Sequence, residues 1–150
     1  MEYIMNLREK VGRAPIISGA AGAIIINENN EILLQQRSDD GTWGNPGGGI
    51  ELGESLEECL FRETKEETGL IVKNAELFKV YSGECMHVVY PNCDEVYYIN
   101  AIYIVRDYEG EISIDDGESL QLKFFSLNQI PKPLSKCFSI VLDDLKEYLK

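Results

Sequence analysis

Positive charge is what this sequence has least of. Its Lys and Arg number 14 against 26 Asp and Glu, a formal net charge of −12. A broad nucleic-acid footprint needs Lys and Arg to displace the counterions of phosphates, so this balance argues against a nucleic-acid polymer as partner. It argues equally against an anionic membrane surface. A small phosphorylated ligand is still compatible, because a bound cation reverses the local sign. No apolar run reaches the ~18 residues of a transmembrane helix, and the opening MEYIMNLREKVGRAP lacks the basic start and apolar block of a secretory signal. Histidine is almost absent, His87 being the only one, and Cys59, Cys85, Cys93 and Cys137 form no CxxC pair. Zinc is therefore disfavoured, and reduced thiols in a cytoplasmic protein are the expected state.

The chain has 150 residues, 44% hydrophobic and 27% charged, without repeat, low-complexity block or linker, and residues 1–150 read as a single domain. GAAGAIII reads as a strand buried on both faces. NENN followed by EILLQQR reads as a hairpin with a polar turn. SDDGTWGNPGGG reads as loop. Ser55, with Glu58 three residues on, forms a capping box that starts a helix, and Gly69 stops it. Strands are expected in IVKNAELFKVYSG, EVYYINAIYIV, GEISI and LQLKFFSL. In the last helix Leu134, Phe138, Val141, Leu142, Leu145 and Leu149 repeat at helical spacing and face the core. MEYIMNLREK fits either a short helix or an extended lead-in. The sum is α+β, or a helix–sheet–helix sandwich.

Acid concentrates in GGGIELGESLEECLFRETKEETGL. On a wheel of about 100° per residue with Leu56 at zero, Leu60, Glu63 and Glu67 fall within roughly 40°, and Cys59, Glu66 and Leu70 within roughly 80°. The glutamates thus share the apolar stripe and point toward the protein body, whereas Glu57, Glu58 and Lys65 lie on other, solvated faces. Carboxylates at i,i+3 and i,i+4 repel, burial adds to that cost, and Arg62 alone does not neutralise three of them. A bound divalent cation resolves the conflict, and an all-oxygen donor set suits Mg²⁺ or Mn²⁺. Gly47, Gly48 and Gly49, directly before the helix, let backbone approach a ligand closely.

Gly48, Glu54, Arg62, Glu63, Thr64, Glu66, Glu67, Gly69 and Leu70 fit the spacing G-x5-E-x7-R-E-U-x-E-E-x-G-U. This resembles the Nudix box, the signature of the Nudix hydrolases, over residues 48–70. Thr64 alone departs, standing where an aliphatic residue is usual. The resemblance implies an α/β/α sandwich around a mixed sheet. It implies hydrolysis of a nucleoside diphosphate linked to another moiety, such as ADP-ribose-like sugars, dinucleotides or (d)NTPs, with Mg²⁺ or Mn²⁺. Carried over by position, Glu63, Glu66 and Glu67 hold metal with the Gly47 carbonyl, Arg62 orients Glu63, and Glu54 and Gly69 support the site. Glu63 and Glu66 are joint candidates for the base.

Beyond the box, two readings stand for each residue. Glu118 enters the metal site, as an extra acid does in many relatives, or is a solvated loop residue. Arg37, with Gly48, contacts substrate phosphate, or is a surface arginine. YPNCDEVYY resembles a segment of a bacterial MutT-like subgroup, with Cys93 in place of Gly. Asp94 and Glu95 there line the site or a homodimer contact, or form a strand end. Trp43 stacks on a base or caps a core edge, and His87 has no partner in sequence. The competing function is a Nudix-fold binding or regulatory module without turnover, though such modules usually lose box glutamates and this chain keeps them all.

Overall fold

The computed structural model describes residues 2–114, 117 and 119–149. In chain order its elements are α1 (Glu2–Val11), β1 (Ile16–Ile25), β2 (Ile32–Arg37), β3 (Trp43–Gly44), β4 (Gly47–Gly49), α2 (Leu56–Thr68), β5 (Ile71–Tyr81), β6 (His87–Val89), β7 (Glu95–Glu109), β8 (Ser119–Phe125) and α3 (Lys136–Tyr148). The larger sheet runs β4-β1-β7-β5, with β6 also on β7, and the smaller runs β3-β2-β8. β1 and β7 are parallel and the other pairings antiparallel, so the larger sheet is mixed.

The small and apolar β1 run needs cover on both faces, and it has it. Ala21, Ala23 and Ile25 pack with Cys59 and Leu60 of α2. Ile24 and Ile26 pack with Phe138, Val141, Leu142 and Leu145 of α3. This alternation along one strand produces the α/β/α sandwich. No helix of the described residues is long and apolar enough to cross a membrane.

The expected hairpin forms around Asn27, whose side-chain carbonyl accepts from the amides of Asn29 (3.0 Å) and Glu31 (2.9 Å). After the Ile26–Ile32 bridge its strands part, β1 to the larger sheet and β2 to the smaller. From Glu2 on, MEYIMNLREK is helix α1. Two expectations are corrected. SDDGTWGNPGGG contains β3 and β4, because Gly47–Gly49 pair with β1 (Gly22↔Gly47, Ala20↔Gly49). GEISI is not a strand: Ser113 donates its amide to the carbonyl of Thr68 (2.8 Å), so the segment closes over the end of α2. All four cysteines are free.

Thr64, the odd residue of the box, is fully buried, and its hydroxyl has no hydrogen-bond partner among the described residues. Thr68 takes the local bonds instead, donating to the Thr64 carbonyl (2.6 Å) and accepting from the Leu70 amide (3.1 Å). A buried hydroxyl without a partner costs about 1–3 kcal/mol. Thr64→Val keeps the shape and removes that cost. It should raise the melting temperature by roughly 2–6 °C, and an equal or lower value in a thermal melt would contradict the burial argument.

Candidate functional site

Local signals set α2. The Ser55 hydroxyl accepts from the Glu58 amide and the Glu58 carboxylate accepts from the Ser55 amide, both at 3.0 Å. Gly69 ends the helix at φ 81° and donates its amide to the Lys65 carbonyl. These caps fix the helix phase and so decide which glutamates turn inward.

Glu63 and Glu67, one turn apart, are each 6% exposed. Glu67 accepts the Gly47 amide at 2.7 Å, tying α2 to β4. The Glu63 carboxylate fills the space beside Gly48: a Cβ there would stand 2.4 Å from Glu63 Cδ. At Gly47 a Cβ would meet the Ala21 carbonyl oxygen at 2.6 Å. The glycines are thus required by close approach, not by a turn. Cys59, behind them, donates to the Gly48 carbonyl, and burial pushes its thiol up to about 12.

Arg62 is the hub. It donates to Glu54 from Nε (2.7 Å) and Nη2 (2.9 Å), to Glu63 from Nη1 (2.8 Å) and to the Gly49 carbonyl from Nη2 (3.0 Å). The guanidinium holds the Glu54 carboxyl below its usual range. Burial pushes Glu63 up, against the downward pull of Arg62. The one guanidinium pairs with Glu54, Glu63 and Glu66, and Glu67 adds a fourth carboxylate one helical turn from Glu63.

Glu66 corrects the wheel. Its side chain is 56% exposed and meets Arg62 Nη1 at 3.3 Å. At roughly 80° from the stripe centre a long side chain reaches water as readily as the core. Among the described residues, no three acidic, histidine or cysteine side chains gather as a ready-made metal cage. The donor chemistry nonetheless fits a hard divalent cation: oxygen ligands throughout, in excess negative charge, beside a backbone stripped of Cβ atoms.

The NUDIX domain family matches residues 18–145. The chain belongs to the Nudix family. It is 38% identical over 112 residues to the ADP-ribose pyrophosphatase of Methanocaldococcus jannaschii, covering 72% of this chain and 62% of that protein. It is 43% identical over 63 residues to the 8-oxo-dGTP diphosphatase of Escherichia coli, covering 39% of this chain and 49% of that protein. These alignments span less than two thirds of either relative. A crystal structure of a MutT NUDIX hydrolase from Burkholderia pseudomallei superposes with TM-score 0.72 at 27% identity, over 85% of this chain and 96% of that one. The protein is a MutT-like Nudix protein, and Nudix hydrolases as a class use divalent metal.

Around this Nudix box the other candidates fall apart from one another. Arg37 is held by Asp39 through two bonds, Nε at 3.0 Å and Nη2 at 2.7 Å, and lies over the Tyr90 ring. Tyr90 in turn pairs its hydroxyl with that of Tyr98. Trp43 is 6% exposed and packs edge-on against Phe125, so it is core and not a stacking platform for a base. Glu95 pairs with His87 (2.7 Å), the partner that sequence did not supply, and His87 stacks on Tyr97. Asp94 faces Arg8 of α1. Glu118 lies outside the described residues. The sequence reading missed Glu51, whose carboxylate accepts the Tyr3 amide; nothing local in sequence couples positions 48 apart.

Proposed function

We propose that this Nudix protein is a hydrolase, dependent on Mg²⁺ or Mn²⁺, that cleaves a phosphoanhydride bond in a nucleoside diphosphate linked to another moiety. The observation that supports it best is the pair of inward carboxylates, Glu63 and Glu67, packed against Gly47 and Gly48 in a cluster that Arg62 leaves negative. The relatives' names, ADP-ribose pyrophosphatase and 8-oxo-dGTP diphosphatase, share that bond type and differ in what surrounds it.

Glu63, Glu66 and Glu67 would hold the cation, with the Gly47 carbonyl beside them. A divalent ion held by these residues would neutralise phosphate charge and lower the pKa of a water. Arg62 keeps Glu63 aimed at the loop, and Glu54 keeps Arg62 in place. The proton of the attacking water passes to Glu63 or Glu66. The substrate is a small nucleotide derivative, the setting cytoplasmic, and the working unit the monomer or a homodimer.

Purified protein incubated with ADP-ribose, dinucleoside polyphosphates and (d)NTPs should release nucleoside monophosphate from at least one of them with Mg²⁺ or Mn²⁺, and from none with EDTA. The same cations should raise the melting temperature, since a ligand bound only by the folded state stabilises by mass action, about 2.7 kcal/mol at a hundred times Kd. A flat melting temperature up to high millimolar metal, with no turnover across the panel, would sink the proposal.

A further inference from the structure

The family match begins at residue 18, so α1 lies outside it, yet α1 is wired to the box. The amide of Tyr3, in the first turn, donates to the Glu51 carboxylate at 3.2 and 3.3 Å to its two oxygens. A carboxylate is well placed there, because first-turn amides lack intrahelical partners and the helix dipole favours negative charge. Glu51 sits in the box loop. Its own amide donates to Glu54 Oε1 (3.1 Å), and the Glu54 amide donates to the Glu51 carbonyl (3.1 Å). Glu54 accepts from Arg62, and Arg62 donates to the buried Glu63. Polar contacts therefore run without a break from the first turn of α1 to an inward carboxylate.

At its other end α1 is pinned by Arg8. This side chain donates to the carbonyls of Glu95 (2.8 Å), Ala14 (2.7 Å) and Gly12 (3.2 Å). Between the two anchors the helix buries no residue. A cleft of about 460 Å³ is lined by Tyr3, Asn6 and Leu7 of the helix and by Glu51 and Leu52 of the loop. No side chain of α1 is fully buried, although Tyr3, Ile4 and Leu7 are half-buried, so the polar anchors at its two ends carry much of its docking and couple it to the loop.

We propose that α1 is a strap that positions the Nudix loop: the Tyr3 amide and Glu51 set the orientation of Glu63 through Glu54 and Arg62. Tyr3 and Glu51 are positioning residues, and the inference rests on the hydrolase reading above. Proline is tolerated in the first turn of a helix, so Tyr3→Pro deletes the one amide while sparing the helix. Tyr3→Ala, which keeps the amide and removes the ring, is the reference.

Relative to that reference, kcat of Tyr3→Pro at saturating metal should fall about tenfold with KM little changed, the scale of a lost hydrogen bond to a charged group. Exchange of the Glu51 and Glu54 amides in metal-free protein should speed up, while that of the Leu60 amide, in mid-α2, should not. The double variant Tyr3→Pro/Glu51→Ala should be no slower than Glu51→Ala alone, since both cut one linkage. If Tyr3→Pro does not fold, Glu51→Ala carries the same exchange measurement. Unchanged exchange at Glu51 and Glu54 would overturn the strap, whatever kcat does. Wild-type turnover by Glu67→Gln would instead overturn the hydrolase site, leaving the exchange result to decide the strap alone.

Discussion

Glu67→Gln should fold like the wild type and lose about 10²–10³-fold in kcat, the cost of removing one preorganised charge-stabilising group. The argument rests on what the substitution leaves intact. Glu67 is buried and accepts the Gly47 amide at 2.7 Å. A glutamine carbonyl accepts the same bond, so β4 stays docked on α2, and helix propensity barely changes. Only the negative charge is lost, from a cluster whose proposed work is to hold a divalent cation. Glu66→Gln should show a comparable fall, although its side chain stands half in water and contributes little to the fold. Neither variant should melt earlier without metal, because like-charge repulsion along the helix decreases. Glu57→Gln is the control. Glu57 is exposed and accepts a bond from the Tyr103 hydroxyl at 3.2 Å, which glutamine also accepts, so turnover should be near that of the wild type. Should Glu67→Gln hydrolyse the best substrate at the wild-type rate, the proposed metal site is wrong. A crippled Glu57→Gln would show that the active face of α2 had been misjudged.

What could be seen in advance divides by the range of the interaction that decides it. The ends of α2 were legible because Ser55, Glu58 and Gly69 act within a turn of themselves. The core stripe of α3 was legible for the same reason, Phe138, Val141, Leu142 and Leu145 all facing inward. The site's inward pair, Glu63 and Glu67, followed from helix phase alone. Glu66 did not, because an angle near the edge of the stripe says nothing about what stands opposite. Gly47–Gly49 read as loop, and form a strand because β1, itself rich in small residues, lets them approach. The parallel pairing of β1 with β7 leaves no local trace, and it determines which faces α2 and α3 cover. For Trp43 the sequence leaves base stacking and a core edge both open, and only Phe125 and the segment before α3, distant in the chain, decide for the core.

Arg62→Ala should be the most destabilising change at the site, by about 2–4 kcal/mol at neutral pH, and should also cut kcat about a hundredfold. The stability figure sits below the usual cost of breaking a fully buried pair because Arg62 remains 26% exposed. The guanidinium serves Glu54, Glu63, Glu66 and the Gly49 carbonyl at once. Its loss leaves the buried Glu63 carboxylate without the guanidinium that pairs with it. Burial already pushes the Glu63 pKa up and Arg62 alone opposes it strongly, so in the variant the group shifts further toward its neutral form. The sign with pH follows. A carboxyl whose folded pKa is raised favours the folded state at low pH, and that advantage is lost as pH rises through the folded value. In the wild type Glu54 works the other way: Arg62 depresses its pKa, so its contribution is present above its unfolded value of 4.5 and is lost as pH falls through the folded one. Both effects make the gap between wild type and variant widest near neutrality and narrower in acid. Melting temperatures at several pH values, from about 3 to 7, measure it. A gap that is absent at neutral pH, or that grows on acidification, would mean that Arg62 does not hold these carboxylates in their charged form.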